Sequence, residues 1–201
     1  GSLQDDASAV RAYEEYNNTL NFLKLGDLAN ASKTAGIMSH YIVDVAVFGH
    51  VMGADTDWGA EQHHNDYENY VNQRTNSYDD EFNMYLSFDG ELRIVSVHDA
   101  AKELAYDTTF DVDGDLTCVW MDQNYNWSDP MFKRRCGESL NLAINYLTDV
   151  LHTLYQEAQP AGDIWATQNI LELLAPYIAL ASTIILAIAV TVAFFKYRKK
   201  Q

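Results

Sequence analysis

Four of the six histidines lie between residues 40 and 64, interleaved with carboxylates. His40 and Asp44 are four residues apart, His64 and Glu68 repeat that spacing, and His50 lies between the two pairs. Residues four apart share one face of a helix, so each pair can direct an imidazole and a carboxylate to one point. Such groups, converging from two helices, commonly hold zinc or another transition metal. The pattern therefore predicts a metal site, and the alternative is a set of polar pairs on a helix surface.

The order and spacing of these residues resemble a known motif, the second half of the metal-binding pattern of the zinc-dependent phospholipase C family, which is related to the S1/P1 nucleases. The matching residues are His40-x3-Asp44-x5-His50-x13-His64-x3-Glu68. Gly49 departs from the pattern, because the family usually has proline there. Glu68 resembles the phospholipase branch, since the nucleases normally have aspartate at this position. The resemblance covers residues 28–73 closely and residues 131–159 loosely, and it implies a helical fold, zinc as the cofactor and phosphodiester hydrolysis.

The same resemblance implies a role for each residue. His50, His64 and Glu68 would form one complete zinc site, and His40 and Asp44 would belong to a neighbouring pair of metals. The family supplies its remaining ligands from an N-terminal tryptophan and from a histidine, an aspartate and another histidine. No histidine or tryptophan precedes His40 in this sequence. Two functions therefore stay open: a phospholipase C-like hydrolase, and a non-catalytic, zinc-stabilised subunit or interaction module of a membrane complex.

Helical periodicity predicts the elements that must position these groups. The expected helices cover residues 8–24, 28–52, 60–73, 97–106 and 131–159. The second and third carry all five metal candidates on either side of a glycine-bounded loop, and the rest of the chain between residues 74 and 130 is expected to be polar and aromatic loop. No strand-like pattern of any length is evident. We therefore expect an all-α helical bundle.

A hydrophobic segment near the C-terminus predicts a membrane anchor. Residues 176–195 contain no charged side chain. As a helix they would be about 30 Å long, which is the thickness of a bilayer's hydrocarbon core. Basic residues follow at once, and positive charge favours the cytoplasmic side. These residues are Lys196, Arg198, Lys199 and Lys200.

The anchor divides the chain into four expected parts. A metal-binding domain (residues 1–162) lies outside the cytoplasm, a helical stalk (163–175) leads to the transmembrane helix (176–195), and a basic tail (196–201) is cytoplasmic. We expect a single-pass protein of the cell membrane, whose partners are the lipid bilayer, a phospholipid substrate and other membrane subunits. The formal net charge of −16 disfavours nucleic acid as a partner, because phosphate binding needs clustered Lys and Arg.

Two further features fit an extracytoplasmic domain. Cys118 and Cys136 are the only cysteines. Outside the cytoplasm such a pair predicts one disulfide, which would stabilise the fold by about 3 kcal/mol. Sequons at Asn17, Asn30 and Asn126 predict glycosylation, although such short motifs also arise by chance.

Overall fold

The computed structural model describes residues 5–53, 60–75 and 80–159. Over these residues the chain forms α-helices and a short 3-10 turn and contains no strand, which confirms the predicted all-α fold. The helices are α1 (Ala7–Lys24), α2 (Leu28–Asp44), α3 (Phe48–Met52), α4 (His64–Asn72), α5 (Val97–Phe110), α6 (Cys118–Gln123) and α7 (Pro130–Ala158), and the 3-10 turn covers Asn83–Tyr85.

The predicted stalk, transmembrane helix and basic tail (163–175, 176–195 and 196–201) lie outside the described residues. Among the helices that are described, none combines the length and the apolar character needed to cross a bilayer. The membrane anchor therefore stays a prediction.

The larger of two hydrophobic clusters joins α1, α2, α5 and α7. Small residues such as Ala9 and Ala12 let α1 pack closely, and Ile42, Leu104 and Val150 fill the centre. At the starts of three of these helices a side-chain oxygen accepts a backbone hydrogen bond. At the start of α7, Asp129 accepts from the N–H of Met131. Asp27 accepts from the N–H of Asn30 at the start of α2, and Ser96 accepts from that of Asp99 at the start of α5.

The smaller cluster is aromatic and joins the short helices α3, α4 and α6 to the N-terminal part of α7. Tyr67 of α4 packs against Phe48 of α3 and Phe132 of α7, and Trp127 stacks flat on Tyr70 with ring centroids 3.8 Å apart. Helices as short as α3, α4 and α6 are unstable alone, so this packing must hold them in place.

The predicted helix over residues 28–52 is wrong in one respect, because it is interrupted after Asp44. Val47 has an extended backbone conformation (φ −87°, ψ 121°), and α3 begins at the next residue. Ser139 of α7 donates a hydrogen bond of 2.7 Å to the buried carbonyl of Ala46. This bond supplies the partner that a continuous helix would otherwise provide. The interruption redirects the chain and gives α3 its own direction.

Arg135 of α7 is completely buried and ties three segments together. Its guanidinium donates to the carbonyls of Asp107 (2.8 Å) and Thr108 (3.2 Å) at the end of α5, and to that of Leu116 (3.0 Å) just before α6. Nε also lies 3.4 Å from Oδ1 of Asp111, whose positive φ of 63° marks the turn after α5. A single charged side chain thus fixes the connection between α5 and α6.

Removing this side chain should destabilise the fold strongly. We expect Arg135→Met to lower the free energy of unfolding by about 3–5 kcal/mol, because it leaves a buried carboxylate and several carbonyls without their partner. The matched control is Arg134→Met, which removes an exposed arginine paired only with Glu138. That change should cost less than about 1 kcal/mol. Urea denaturation of both variants measures the difference, and equal effects would contradict the role of Arg135.

The two cysteines differ from their prediction, because the structure has Cys118 and Cys136 as free, buried thiols and not as a disulfide. Cys136 Sγ instead accepts a hydrogen bond of 3.0 Å from the hydroxyl of Tyr67. Burial raises the pKa of Cys118 to about 11 and that of Cys136 to about 12. Both thiols behave here as small apolar residues of the aromatic cluster.

Thiol chemistry separates the free pair from a disulfide. At pH 8 we expect neither cysteine to react appreciably with iodoacetamide in the native chain, because burial keeps both thiols protonated. In guanidinium without a reductant, both should react, and mass spectrometry would count two modified residues. If both resist modification in denaturant until a reductant is added, the pair forms a disulfide after all.

Candidate metal centre

α3 and α4 bring three of the predicted ligands to one point. Nε2 of His50 lies 2.6 Å from Nε2 of His64. Oε1 of Glu68 lies 3.1 Å from Nε2 of His64 and 3.3 Å from Nε2 of His50. One ligand atom from each of the three residues thus lies within 4.8 Å of the other two, close enough for a single metal ion to bind all three.

Gly49 permits the close approach of α3 to α4. A Cβ atom at this position would lie 2.9 Å from Cγ and 3.0 Å from Cβ of His64, distances too short for any side chain. The glycine that departs from the family pattern is therefore the residue that lets the two imidazoles meet.

Asp44 does not belong to the three-residue group. Its Oδ2 lies 2.6 Å from Nδ1 of His50, on the side of the ring opposite to Nε2, although the approach is too oblique for a well-formed hydrogen bond. Asp44, followed by Glu68, raises the pKa of His50 above its ordinary value, and partial burial opposes that shift. Asp44 therefore lies against His50 as an orienting partner.

Glu61, which is not among the predicted site residues, lies beside His64 as Asp44 lies beside His50. Its Oε1 lies 3.4 Å from Nδ1 of His64, and its Oε2 accepts a hydrogen bond of 3.0 Å from the backbone N–H of the same residue. The only sequence signal is its spacing, three residues before a histidine. Both imidazoles therefore have a carboxylate beside Nδ1 and direct Nε2 to the shared point.

This arrangement constrains the protons of the two rings. A carboxylate beside Nδ1 favours the tautomer that carries its proton there, and this leaves the lone pair on Nε2. Two such lone pairs and the Glu68 carboxylate would then face one another, which requires a cation between them. Without a metal, a proton shared between Nε2 of His50 and Nε2 of His64 would supply this positive charge. A bound metal ion would take the place of that proton.

The three residues fit zinc in type and nearly in spacing. Two nitrogen ligands of one tetrahedral zinc lie about 3.3 Å apart, so the rings would have to separate by about 0.7 Å. Zinc sites that catalyse reactions commonly use three protein ligands and keep one position open. The Glu68 side chain is 43% exposed, so the group opens towards solvent.

Neighbouring residues hold the start of α4 in place. Oδ1 of Asp122, from α6, accepts hydrogen bonds from the backbone N–H groups of Gln62 (2.9 Å) and His63 (3.1 Å). The His63 ring stacks on Tyr125 with centroids 4.2 Å apart and lies outside the three-residue group. A small recess beside His64 is lined mainly by apolar side chains, namely Phe48, Met52, Tyr67, Met121 and Tyr125.

His40, the fifth predicted ligand, lies apart from the others. Its side chain is exposed on α2 and meets only the edge of Tyr41, with ring centroids 5.4 Å apart. Within the described ranges, the one set of three or more metal-binding side chains is His50, His64 and Glu68. The neighbouring metal pair implied for His40 and Asp44 is therefore not assembled in this part of the chain.

The three sequons lie in different surroundings. Asn17 lies within α1, and the hydroxyl of its partner Thr19 is buried and donates to the carbonyl of Glu15. Asn30 is exposed in the first turn of α2. Asn126 is exposed between α6 and α7. Their glycosylation stays a prediction.

Fold and site together define an all-helical domain with a three-residue His/Glu group that could bind a metal ion. Comparison with protein-family models, with curated proteins and with solved structures finds no match for this chain. The resemblance to zinc-dependent phospholipase C therefore depends on the order and spacing of the motif residues alone.

The two orienting carboxylates can be tested separately from the ligands. We expect Asp44→Asn and Glu61→Gln each to weaken zinc binding about 10–100-fold while one ion per chain still binds, because each loses the partner that fixes an imidazole. Asp66→Asn, which changes an exposed acid in the first turn of α4, is the matched control and should bind normally. Competition with a chromophoric chelator measures the affinities, and unchanged binding in both variants would contradict the orienting role.

Proposed function

We propose that this chain is a zinc-dependent hydrolase domain of the phospholipase C type, which cleaves phosphodiesters at the outer surface of a membrane. The observation that carries the proposal is the convergence of Nε2 of His50, Nε2 of His64 and Oε1 of Glu68. The phosphodiester substrate is supported by the spacing that these residues share with the phospholipase family. The membrane location is supported by the uncharged segment 176–195, which is long enough to span a bilayer as a helix.

The described residues of such a site would have two roles, metal binding and orientation of the imidazoles. His50, His64 and Glu68 would hold the metal and leave one side open. Zinc in that position would supply a Lewis acid that lowers the pKa of water and polarises a phosphoryl oxygen. Asp44 and Glu61 would keep the proton of each imidazole on Nδ1, so that Nε2 stays free to bind.

A second candidate function is a zinc-stabilised accessory subunit or interaction module that performs no catalysis. The observation in its favour is the position of His40, which is exposed and, within the part of the chain that the structure describes, forms no further metal site with Asp44. One metal would then serve to join α3 and α4, two helices too short to be stable alone.

Metal content and hydrolysis, measured on the full chain in detergent, separate the two functions. We expect one zinc per chain. His64→Gln should weaken zinc binding more than about 100-fold, because it removes a ligand, and loss of an orienting residue alone lowers metal affinity about 10–100-fold. His63→Gln is the matched control, since the adjacent imidazole stacks on Tyr125 outside the group. Binding should also weaken as the pH falls through the raised pKa of His50, because protons then compete with zinc.

A chromogenic phosphocholine diester serves as the substrate for the second measurement. Hydrolysis that requires zinc, is lost in His64→Gln and is kept in His63→Gln would support the hydrolase. One bound zinc without hydrolysis would favour the accessory module. If the chain binds no zinc, both functions are wrong.

A further inference from the structure

Residues 85–95, which we call the strap, begin at the last residue of the 3-10 turn and then cross the surface of α7 without regular secondary structure. Four polar residues of α7, spaced four apart, bind its backbone. Asn141 Nδ2 donates to the carbonyls of residues 85 (2.6 Å) and 87 (2.9 Å), and Asn145 Oδ1 accepts from the N–H of residue 89 (3.0 Å). Asp149 Oδ1 accepts from the N–H of residue 93 (2.9 Å), and Thr153 Oγ1 accepts from that of residue 95 (3.0 Å).

All these bonds involve odd-numbered residues of the strap, and none of them involves a backbone group of an even-numbered residue. Apart from Gly90, the even-numbered residues, including Met84 just before the strap, have large apolar side chains and are between 39% and 77% exposed. We call them the apolar row: Met84, Leu86, Phe88, Leu92 and Ile94. Among the described residues no strand pairs with the strap, and the N–H groups of Phe88, Leu92 and Ile94 make no hydrogen bond.

The row contains no charged residue. The charges of the strap belong to the odd-numbered positions and pair with one another, since Nη2 of Arg93 lies 2.9 Å from Glu91 Oε2 and 3.9 Å from Asp89 Oδ2. Five exposed, large apolar side chains within eleven residues are unusual on an otherwise acidic protein, and such a concentration indicates contact with an apolar partner.

The position of the strap indicates which kind of partner covers the apolar row. Thr153 holds the end of the strap close to Ala158, where α7 ends. From there the chain continues towards the uncharged segment 176–195. The Ile94 end of the row therefore lies near the end of α7, whereas the Met84 end lies beside Asn141, 17 residues before Ala158.

We propose that the apolar row rests on the lipid bilayer, an inference that depends on the proposed membrane anchor. The side chains would enter the boundary between headgroups and acyl chains, as those of interfacial segments do. The unpaired N–H groups of the strap would stay at headgroup depth, where water can still bind them, because hydrocarbon cannot satisfy backbone groups.

Lipid contact through the strap would also determine how far the proposed metal centre lies from the bilayer. Tyr67, from the helix that carries His64 and Glu68, binds Cys136 in the N-terminal part of α7. At about 1.5 Å of rise per residue, Cys136 lies about 33 Å from the C-terminal end of α7. If α7 stood upright on the bilayer, the centre would be held far above the headgroups. Because the strap follows the side of α7, lipid contact along the row would lay this helix along the surface and keep the centre near a phospholipid substrate.

Depth-dependent fluorescence quenching tests the contact on the full chain. Phe88→Trp places a reporter in the row, and Leu25→Trp is the matched control, an apolar residue 80% exposed in the turn after α1. Each variant is reconstituted in phosphatidylcholine vesicles with or without brominated acyl chains, and the signal of the four native tryptophans is subtracted. We expect bromine to reduce the added fluorescence of residue 88 by roughly half and to leave that of residue 25 unchanged.

Quenching by aqueous acrylamide distinguishes the other outcomes. If residue 88 is open to acrylamide and not to bromine, the strap lies in water and the proposal is wrong. If it is protected from both, protein covers the row, as in contact with a second copy, and lipid contact is again wrong. Equal bromine quenching at residues 88 and 25 would also overturn a specific role for the row. If the chain does not float with the vesicles, the anchor itself fails, whereas zinc binding and hydrolysis are measured independently in detergent.

Discussion

Backbone groups outside helices need hydrogen-bond partners, and α7 supplies them along most of its length. This requirement is severe for a helical protein with long irregular connections, because a buried N–H or carbonyl without a partner is costly. Arg135 binds backbone carbonyls in the connection between α5 and α6, and Ser139 binds the carbonyl of Ala46 at the interruption after α2. The polar side chains from Asn141 to Thr153 bind the backbone of the strap. The polar face of α7 is therefore not simply a solvated surface but the support for each of these segments.

The candidate metal-binding group depends indirectly on this support. Ser139 stabilises the interruption that gives α3 its direction, and α3 carries His50. Asp122 holds the start of α4, which carries His64, and the aromatic cluster joins both helices to α7. Because α3 and α4 cannot be stable by themselves, the site and the smaller cluster should form and unfold as one unit, which a bound metal would stabilise further.

Much of the fold follows from sequence, and the exceptions have physical causes. The helices α1, α5 and α7 are long and amphipathic, so periodicity locates them well, and the resemblance to the phospholipase motif implied that His50, His64 and Glu68 belong together. The interruption after Asp44 could not be predicted, because Ser139, which binds the carbonyl of Ala46, is 93 residues further along the chain. Helix α6 is too short to show a period. The strap alternates apolar and polar residues in sequence, but this pattern does not reveal that side chains of α7, and not a second strand, bind its backbone.

The four-residue repeat on α7 has a consequence for how the length of this chain can vary in evolution. One residue inserted between Asn145 and Asp149 would rotate the rest of α7 by about 100°. That rotation would carry Thr153 away from the strap and Val150 out of the core. The strap itself tolerates length changes better, since it already bends at Gly90, where φ is +91° and the surface is open. Insertions and deletions should therefore accumulate at that bend, while the length of α7 stays fixed.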